Sequence, residues 1–507
     1  MKALRSGVAL LLATVLVLGL SFGVRLHAVA DPSHTKNDPP VSDVLPVSDD
    51  SEPSEPSELS ELPEVSDASD LSEPPDGELL GDANGDGDVN MKDVLALRMF
   101  IARLPVSISA SLADVYTDGS LDMKDVLLLR QYLAQWDVRL GPPDGVSEAS
   151  DVSDEPEETR AVWVAYYEVA GLMKGSADAT RDAIDTMLDN CRERGVNTLY
   201  FHVRAYSDAY YGSSVFPLHR SVKALIESGF DPLTYAVSAA HERGMKLHAW
   251  LNPYRVGTST ENARCDDVFE FNSRYYYNPS SETVRMLILD GIRELLTGYD
   301  VDGVHFDDYF YPDGVSDAPQ PFDLGYPGGD LAEWRRAQVT ALIRDCHALV
   351  NSLREDTVFG VSPAANLENN LTRLYADLPA WMEEGLLDYV CPQVYYGFQN
   401  AGHPFDQSVE AWCALPRADG TRLYVGLSLY KAGLLEDTWG GADGRTEWQS
   451  GGDILARQVR LLRDREDVDG FALFSYGYLM QTTFSDDDHD LTVAETEIEN
   501  LLQEILS

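Results

Sequence analysis

Two adjacent carboxylates, Asp307 and Asp308, end a short apolar run in the stretch Y-D-V-D-G-V-H-F-D-D-Y-F-Y-P over residues 299–312. The Asp302-Gly303 turn launches that run, four aromatics (Phe306, Tyr309, Phe310, Tyr311) crowd the acids, and Pro312 stops it. Desolvating paired acids at the end of a buried strand is costly, so their presence there points to a chemical task. That task is proton transfer, or stabilisation of a positive charge that develops in a transition state.

Alternate side chains of a strand face opposite sides. The run 303–307 therefore places Val304 and Phe306 on one side and His305 and Asp307 on the other. The run 246–252 separates Leu247, Ala249 and Leu251 from His248, Trp250 and Asn252, and 197–204 separates Leu199, Phe201 and Val203 from Tyr200, His202 and Arg204. By this parity Asp307 points into a common mouth as nucleophile or charge stabiliser, while Asp308 points out or starts the loop, as a supporting acid. Cleavage of a glycosidic bond through an oxocarbenium-like transition state also needs a proton donor of raised pKa. Glu168 and Asp208 are equal candidates at the first and second strand ends, with Glu368 third.

The rings of Tyr206, Tyr210, Trp250, Tyr254, Tyr309, Tyr395 and Tyr396 suit sugar faces, and His202, Arg204, His248, Asn252, Arg255, His305, Asn366 and Gln393 supply polar partners for hydroxyls. His202, His248 and His305 lack an evident fourth ligand, so a catalytic metal is not expected.

The elements that must position these groups form a regular alternation. Strand-like runs fall at 161–168, 197–204, 246–252, 303–307, 358–362, 387–395, 422–430 and 469–476, with amphipathic segments between them. Strand and helix alternating over about 350 residues is the pattern of an α/β (β/α)₈ TIM barrel. An open doubly wound sheet would carry a glycine-rich phosphate turn after an early strand, and there is none. Asp302-Gly303 and Asp469-Gly470 open the fourth and eighth runs alike, a hint of half-barrel symmetry.

The 507 residues carry a formal net charge of −47, which argues against a nucleic acid or an anionic membrane surface as partner. Lys2 and Arg5, the apolar 8–18 and Ala28-Val29-Ala30 read as a signal peptide over 1–30, with an uncleaved anchor as the alternative. The barrel, at 159–507, is thus expected outside the cell, with no membrane contact after cleavage. Residues 31–78 and 142–158 are acidic linkers rich in Ser, Pro and Glu, too poor in apolar groups to fold. Five scattered cysteines make no disulfide framework.

Between the linkers, 79–141 holds a duplication: D-V-N-M-K-D-V-L-A-L-R from Asp88 is echoed by S-L-D-M-K-D-V-L-L-L-R from Ser120. Asp82, Asn84, Asp86, Asp88, Asn90 and Asp93 fall at positions 1, 3, 5, 7, 9 and 12 of an EF-hand-like calcium loop, with Gly87 at position 6. The second loop keeps Asp114, Asp118, Asp122 and Asp125, but Tyr116 stands at position 3 and weakens it. The duplicated loop–helix resembles the type I dockerin family, small all-α calcium-binding modules. That resemblance implies Ca2+, a cohesin module of a scaffoldin or cell-surface protein as partner, and Met91-Lys92 and Met123-Lys124 as partner-choosing pairs.

R-A-V-W-V-A-Y-Y-E over 160–168, F-H-V-R-A-Y-S-D-A-Y over 201–210, H-A-W-L-N-P-Y-R over 248–255, the 302–312 stretch and C-P-Q-V-Y over 391–395 resemble the glycosyl hydrolase-like 10 family. The resemblance implies a (β/α)₈ glycosidase whose leading acid stands at the end of strand four. The expectation is a secreted glycoside hydrolase acting on a cell-wall polysaccharide, brought by its dockerin into a multi-enzyme complex. The alternatives are a non-catalytic carbohydrate-binding barrel and, more weakly, an amidase.

Overall fold

A computed structural model describes residues 79–101, 106–117, 121, 123–133, 139–140, 158–354 and 356–507. The expected signal peptide, the first linker and residues 142–157 of the second lie outside the described residues. No helix among the described residues is long and apolar enough to cross a membrane.

The larger part is a closed parallel barrel of eight strands. They are β1 (Thr159–Val164), β2 (Thr198–Arg204), β3 (Lys246–Leu251), β4 (Gly303–Phe306), β5 (Val358–Val361), β6 (Tyr389–Val390), β7 (Arg422–Ser428) and β8 (Gly470–Phe474), with β1 and β8 paired to close the ring. Helices lie between consecutive strands, the longest at Ala177–Glu193, Glu282–Gly298 and Leu331–Leu353. A three-stranded antiparallel ribbon (Arg255–Gly257, Val268–Phe271, Arg274–Tyr277) leaves the barrel after β3.

Strand parity sorts the buried side chains into two shells. Val162, Leu199, Phe201, Leu247, Val304, Phe359, Val425 and Leu473 pack outward with the helices. Trp163, Tyr200, Trp250, Tyr389, Cys391, Tyr424 and Ala472 form the barrel's own filling. Rings this large fit because neighbouring strands offer glycine at the same level. A Cβ on Gly360 would lie 2.1 Å from the Tyr389 ring, and one on Gly303 would lie 2.6 Å from that of His248.

At the opposite end from the mouth, one polar residue ahead of every even strand pins the strand before it. Asn197 takes the Arg160 N–H at 2.9 Å, Asp302 that of Leu247 at 2.7 Å, Asp388 that of Phe359 at 2.7 Å and Asp469 that of Leu423 at 2.8 Å. The symmetry seen at Asp302 and Asp469 is therefore fourfold. These bonds fix strand register on the stabilising face of the barrel.

Two boundaries differ from expectation. β1 stops at Val164, and Glu168 lies inside the helix Tyr166–Leu172 rather than at a strand end. β6 has only two residues, so 391–395 runs as loop along the mouth.

The described residues between 79 and 140 form the small helical part, with helices at Met91–Ile101, Ala110–Ala113 and Met123–Leu133. Val94, Leu97, Ala113, Val115, Val126 and Leu129 make its core, drawn evenly from both copies of the duplication.

Candidate active site

Asp307 follows β4 directly and is buried in the mouth. Its Oδ2 accepts from Asn252 Nδ2 at 2.8 Å and from Trp250 Nε1 at 3.3 Å, and its Oδ1 accepts from the Tyr309 N–H at 3.2 Å. Burial, and then the charge of Asp308, push the Asp307 carboxyl up to about 8. Burial also raises Asp308, against a hydrogen bond from Gln393. Asp308 lies in the loop that follows the strand, where its charge raises Asp307 and Arg255 acts on both carboxyls. Two carboxyls whose charges act on one another titrate as a pair and not as independent groups. The three N–H donors on Asp307 favour its ionised form, against the burial and the neighbouring charge that raise it.

Around the pair stand groups from neighbouring strands. His202 stacks on Trp250, centroids 3.6 Å apart, and its Nε2 lies 2.6 Å from Asn252 Oδ1. Because that oxygen only accepts, Nε2 carries the proton. Burial holds His202 neutral, and its Nδ1 has no partner among the described residues. The Tyr395 hydroxyl is likewise buried without a partner, with Asp307 and Asp308 among the charges that act on it. Two orphaned polar atoms beside a carboxyl pair are places for substrate hydroxyls to complete. Arg255 lies 4.5 Å from the Tyr206 ring centre and 4.3 Å from that of Tyr309, and donates to the Tyr206 hydroxyl at 3.0 Å. Tyr166, which sequence reasoning missed by extending β1 through it, sets its ring edge against His202 and Tyr206.

Other predicted residues are placed elsewhere. His305 and His248 lie below the mouth in a hydrogen-bonded chain. Trp163 Nε1 donates to His305 Nε2 at 3.1 Å, which leaves His305 Nδ1 to donate to the Tyr389 hydroxyl at 2.8 Å; that hydroxyl in turn reaches His248 Nδ1 at 2.9 Å. Burial keeps both imidazoles neutral, His248 at about 4. They are the floor of the site. A register shift between His202 and Arg204 turns Arg204 to the outer shell, where it binds the Tyr206 and Pro253 carbonyls and lies over Phe216. Tyr254 is also in the outer shell. Asn366 caps the helix Leu367–Thr372 and meets His403 at 3.1 Å. Gln393 donates to the Ser362 carbonyl at 2.8 Å and reaches Asp308.

Of the proton-donor candidates, Glu168 is occupied. Its Oε2 takes the Ala165 N–H, and its Oε1 takes the Ser475 hydroxyl and the Gly477 N–H, so it ties the segment after β1 to the segment after β8. Asp208 is freer: burial pushes it up to about 6, one carboxyl oxygen is unpartnered among the described residues, and Arg204 and Arg220 are its charged neighbours. Glu368 sits in the first turn of Leu367–Thr372.

A family model described as glycosyl hydrolase-like 10 matches residues 158–439. The chain belongs to that family. Its barrel is accordingly of glycoside hydrolase type. A glycosyl hydrolase of Escherichia coli K12, DigH, is 29% identical over 347 residues, covering 60% of this chain and 77% of its own. The glycosyl hydrolase YngK of Bacillus subtilis is 28% identical over 358 residues, covering 63% and 68%. The solved glycoside hydrolase domain of PgaB (BpsB) from Bordetella bronchiseptica is 14% identical with a TM-score of 0.45, covering 68% of this chain and 99% of that domain.

A second model, dockerin type I domain, matches residues 80–134. In its first loop the buried Asp82 accepts from the N–H groups of Asp86 and Gly87, and the buried Asp93 from those of Asn84 and Asn90. In the second, Asp125 takes the Tyr116 N–H at 3.0 Å, as Asp93 takes that of Asn84. Asp118 and Asp122 lie outside the described residues. Among the described residues no three His, Cys, Asp or Glu side chains are gathered tightly enough to close on a metal as they stand. Asp82, Asn84, Asp86, Asp88, Asn90 and Asp93 nonetheless form an oxygen-only set with buried carboxylates at both ends of the loop, the donor chemistry of a hard cation.

Proposed function

We propose that the chain is an exported glycoside hydrolase that cleaves a cell-wall polysaccharide at the Asp307–Asp308 pair. The observation that carries this reading is the Asp307 carboxylate itself, held by Asn252, Trp250 and Tyr309 on the floor of a ring-lined mouth beside a second acid. Asp307 bears the negative charge against the oxocarbenium-like sugar, either through space or as nucleophile. Asp308 shares the pair's proton and gives it to the departing glycosidic oxygen, with Asp208 as the other acid on the rim. His202 Nδ1 and the Tyr395 hydroxyl take substrate hydroxyls, and the rings of Tyr166, Tyr206 and Tyr309 flank the sugar.

In this reading the dockerin loops bind Ca2+ through the six first-loop residues and through Asp114, Asp118, Asp122 and Asp125, and a cohesin module receives the folded dockerin. Met91 and Leu95, one helical turn apart, are 60% and 59% exposed, an apolar face that suits such a partner. Tethering would raise the enzyme's effective concentration at an insoluble substrate.

The test is reducing-end release from a polysaccharide panel by the full chain and by Asp307→Asn and Asp308→Asn. Asp307→Asn is expected to lose on the order of 10³-fold or more. Asp308→Asn should lose activity on the polymer but keep it on an aryl glycoside whose leaving group needs no proton. Full activity of Asp307→Asn on the polymer overturns the assignment.

A further inference from the structure

On the β6–β7 side of the mouth, two segments, 397–403 and 431–447, are fastened together by buried polar groups. Asp437 takes Lys431 Nζ on Oδ2 at 2.6 Å, and its Oδ1 takes the Trp439 N–H at 3.1 Å. Glu447 takes the N–H groups of Phe398 and Gln399, each at 2.9 Å. Asn400 donates to the Trp439 carbonyl at 3.2 Å, and the Ala401 N–H to that of Gly440 at 3.0 Å. Lys431, Asp437, Glu447 and Asn400 are all buried.

What this fastening holds is the backbone of Trp439, by its N–H and its carbonyl. At 79% exposure the Trp439 side chain is the most exposed large apolar one among the described residues. A buried ion pair adds little to stability over an apolar filling, so its use at a loop base points to fixing conformation. Here the conformation fixed is one that keeps an indole in water.

The position is continuous with the site. Tyr395, on which the Asp307 and Asp308 charges act, meets Tyr430 edge-on at 5.7 Å, and Tyr430 in turn feels Asp437, which holds Trp439. Beside this line the ring of Tyr396 stacks on that of His403 at 5.3 Å. Aromatic side chains thus run from Tyr395 to Tyr430, and the Asp437 that acts on Tyr430 also holds the backbone of the bare Trp439.

We propose that Trp439 is the platform of a distal sugar subsite, so that the barrel holds several consecutive sugars of a glycan chain across the β6–β7 rim. The proposal rests on the glycosidase reading for the identity of its ligand as a glycan. An indole face stacks on the apolar face of a pyranose while the ring hydroxyls stay in water, which needs no pocket.

The test is affinity electrophoresis of the full chain in gels containing xylan, glucomannan, glycol chitin or hydroxyethyl cellulose, in an Asp307→Asn background so that nothing is cleaved. At least one polymer is expected to retard the chain, with Trp439→Ala weakening that retardation about tenfold and Trp439→Phe largely preserving it. Equal retardation of Trp439→Ala, or no retardation of the parent by any of the four, overturns the proposal. Because Trp439 is exposed, its loss should leave the thermal midpoint unchanged, which separates lost binding from lost folding. The catalytic reading fails separately, if Asp307→Asn still cleaves.

Discussion

Asn252 gives its amide N–H to Asp307 at 2.8 Å while its carbonyl oxygen receives from His202 at 2.6 Å. One side chain therefore fixes both the charge on the acid and the tautomer of the imidazole. Asn252→Ala removes a donor that favours ionised Asp307, so that carboxyl rises further. We expect kcat to fall about 10²-fold and the acid limb of the rate profile to move to higher pH. A pH–rate series on the variant checks this, and an unmoved acid limb would exclude Asn252 from tuning Asp307.

Glu497 is buried on the last helix, Leu491–Leu506, against the start of Ile454–Arg463, and burial pushes it up to about 7 from an ordinary 4.5. A carboxyl raised on folding binds its proton more tightly in the native state. Its contribution is therefore whole below about pH 4.5 and is lost as pH rises through about 7. Glu497→Gln, neutral throughout, should gain on the parent by about 3 kcal/mol between acid and mildly alkaline pH. Urea titrations at pH 5 and pH 8 measure the difference, and a constant offset at both would contradict it.

The Lys431–Asp437 pair predicts a strong effect of the opposite kind. Asp437→Asn leaves an ammonium buried without its counter-charge, at a cost of about 3–5 kcal/mol. The midpoint of denaturation should fall accordingly; a change below 1 kcal/mol, within the range of an exposed pair, would mean that water reaches Lys431.

Calcium removal should act on one part of the chain alone. Chelation is expected to abolish the cooperative melting of residues 79–140 while leaving the barrel's transition in place. Asp93→Ala should do the same to the first loop at limiting calcium. Calorimetry with and without chelator resolves the two, and a dockerin transition indifferent to chelator would remove Ca2+ from the account.

The barrel was legible because strand parity and the helical period are properties of local sequence. His202, Trp250, Asn252 and Asp307 meet as alternation predicts. Arg204 escaped because the register shift after His202 reverses the parity, and no residue type announces it. Glu168 was misread for a related reason: V-A-Y-Y-E continues an apolar strand pattern, yet the chain turns helical at Tyr166. For Asp308 parity left two readings, outward or in the loop, and the strand ends at Phe306, ahead of it. Half of the pinning pattern was visible through the Asp-Gly turns at 302 and 469. Asn197 and Asp388 do the same work without a glycine to mark them.

The chain of rings beneath the mouth starts on the indole N–H of Trp163 and ends on His248. The Ser362 hydroxyl meets the same Nε2 of His305 at 3.0 Å, so both ring nitrogens of that imidazole are committed. An imidazole held in this way cannot turn or take up a proton without breaking the chain, which makes it a fixed support beneath the carboxyl pair and not a participant in proton transfer.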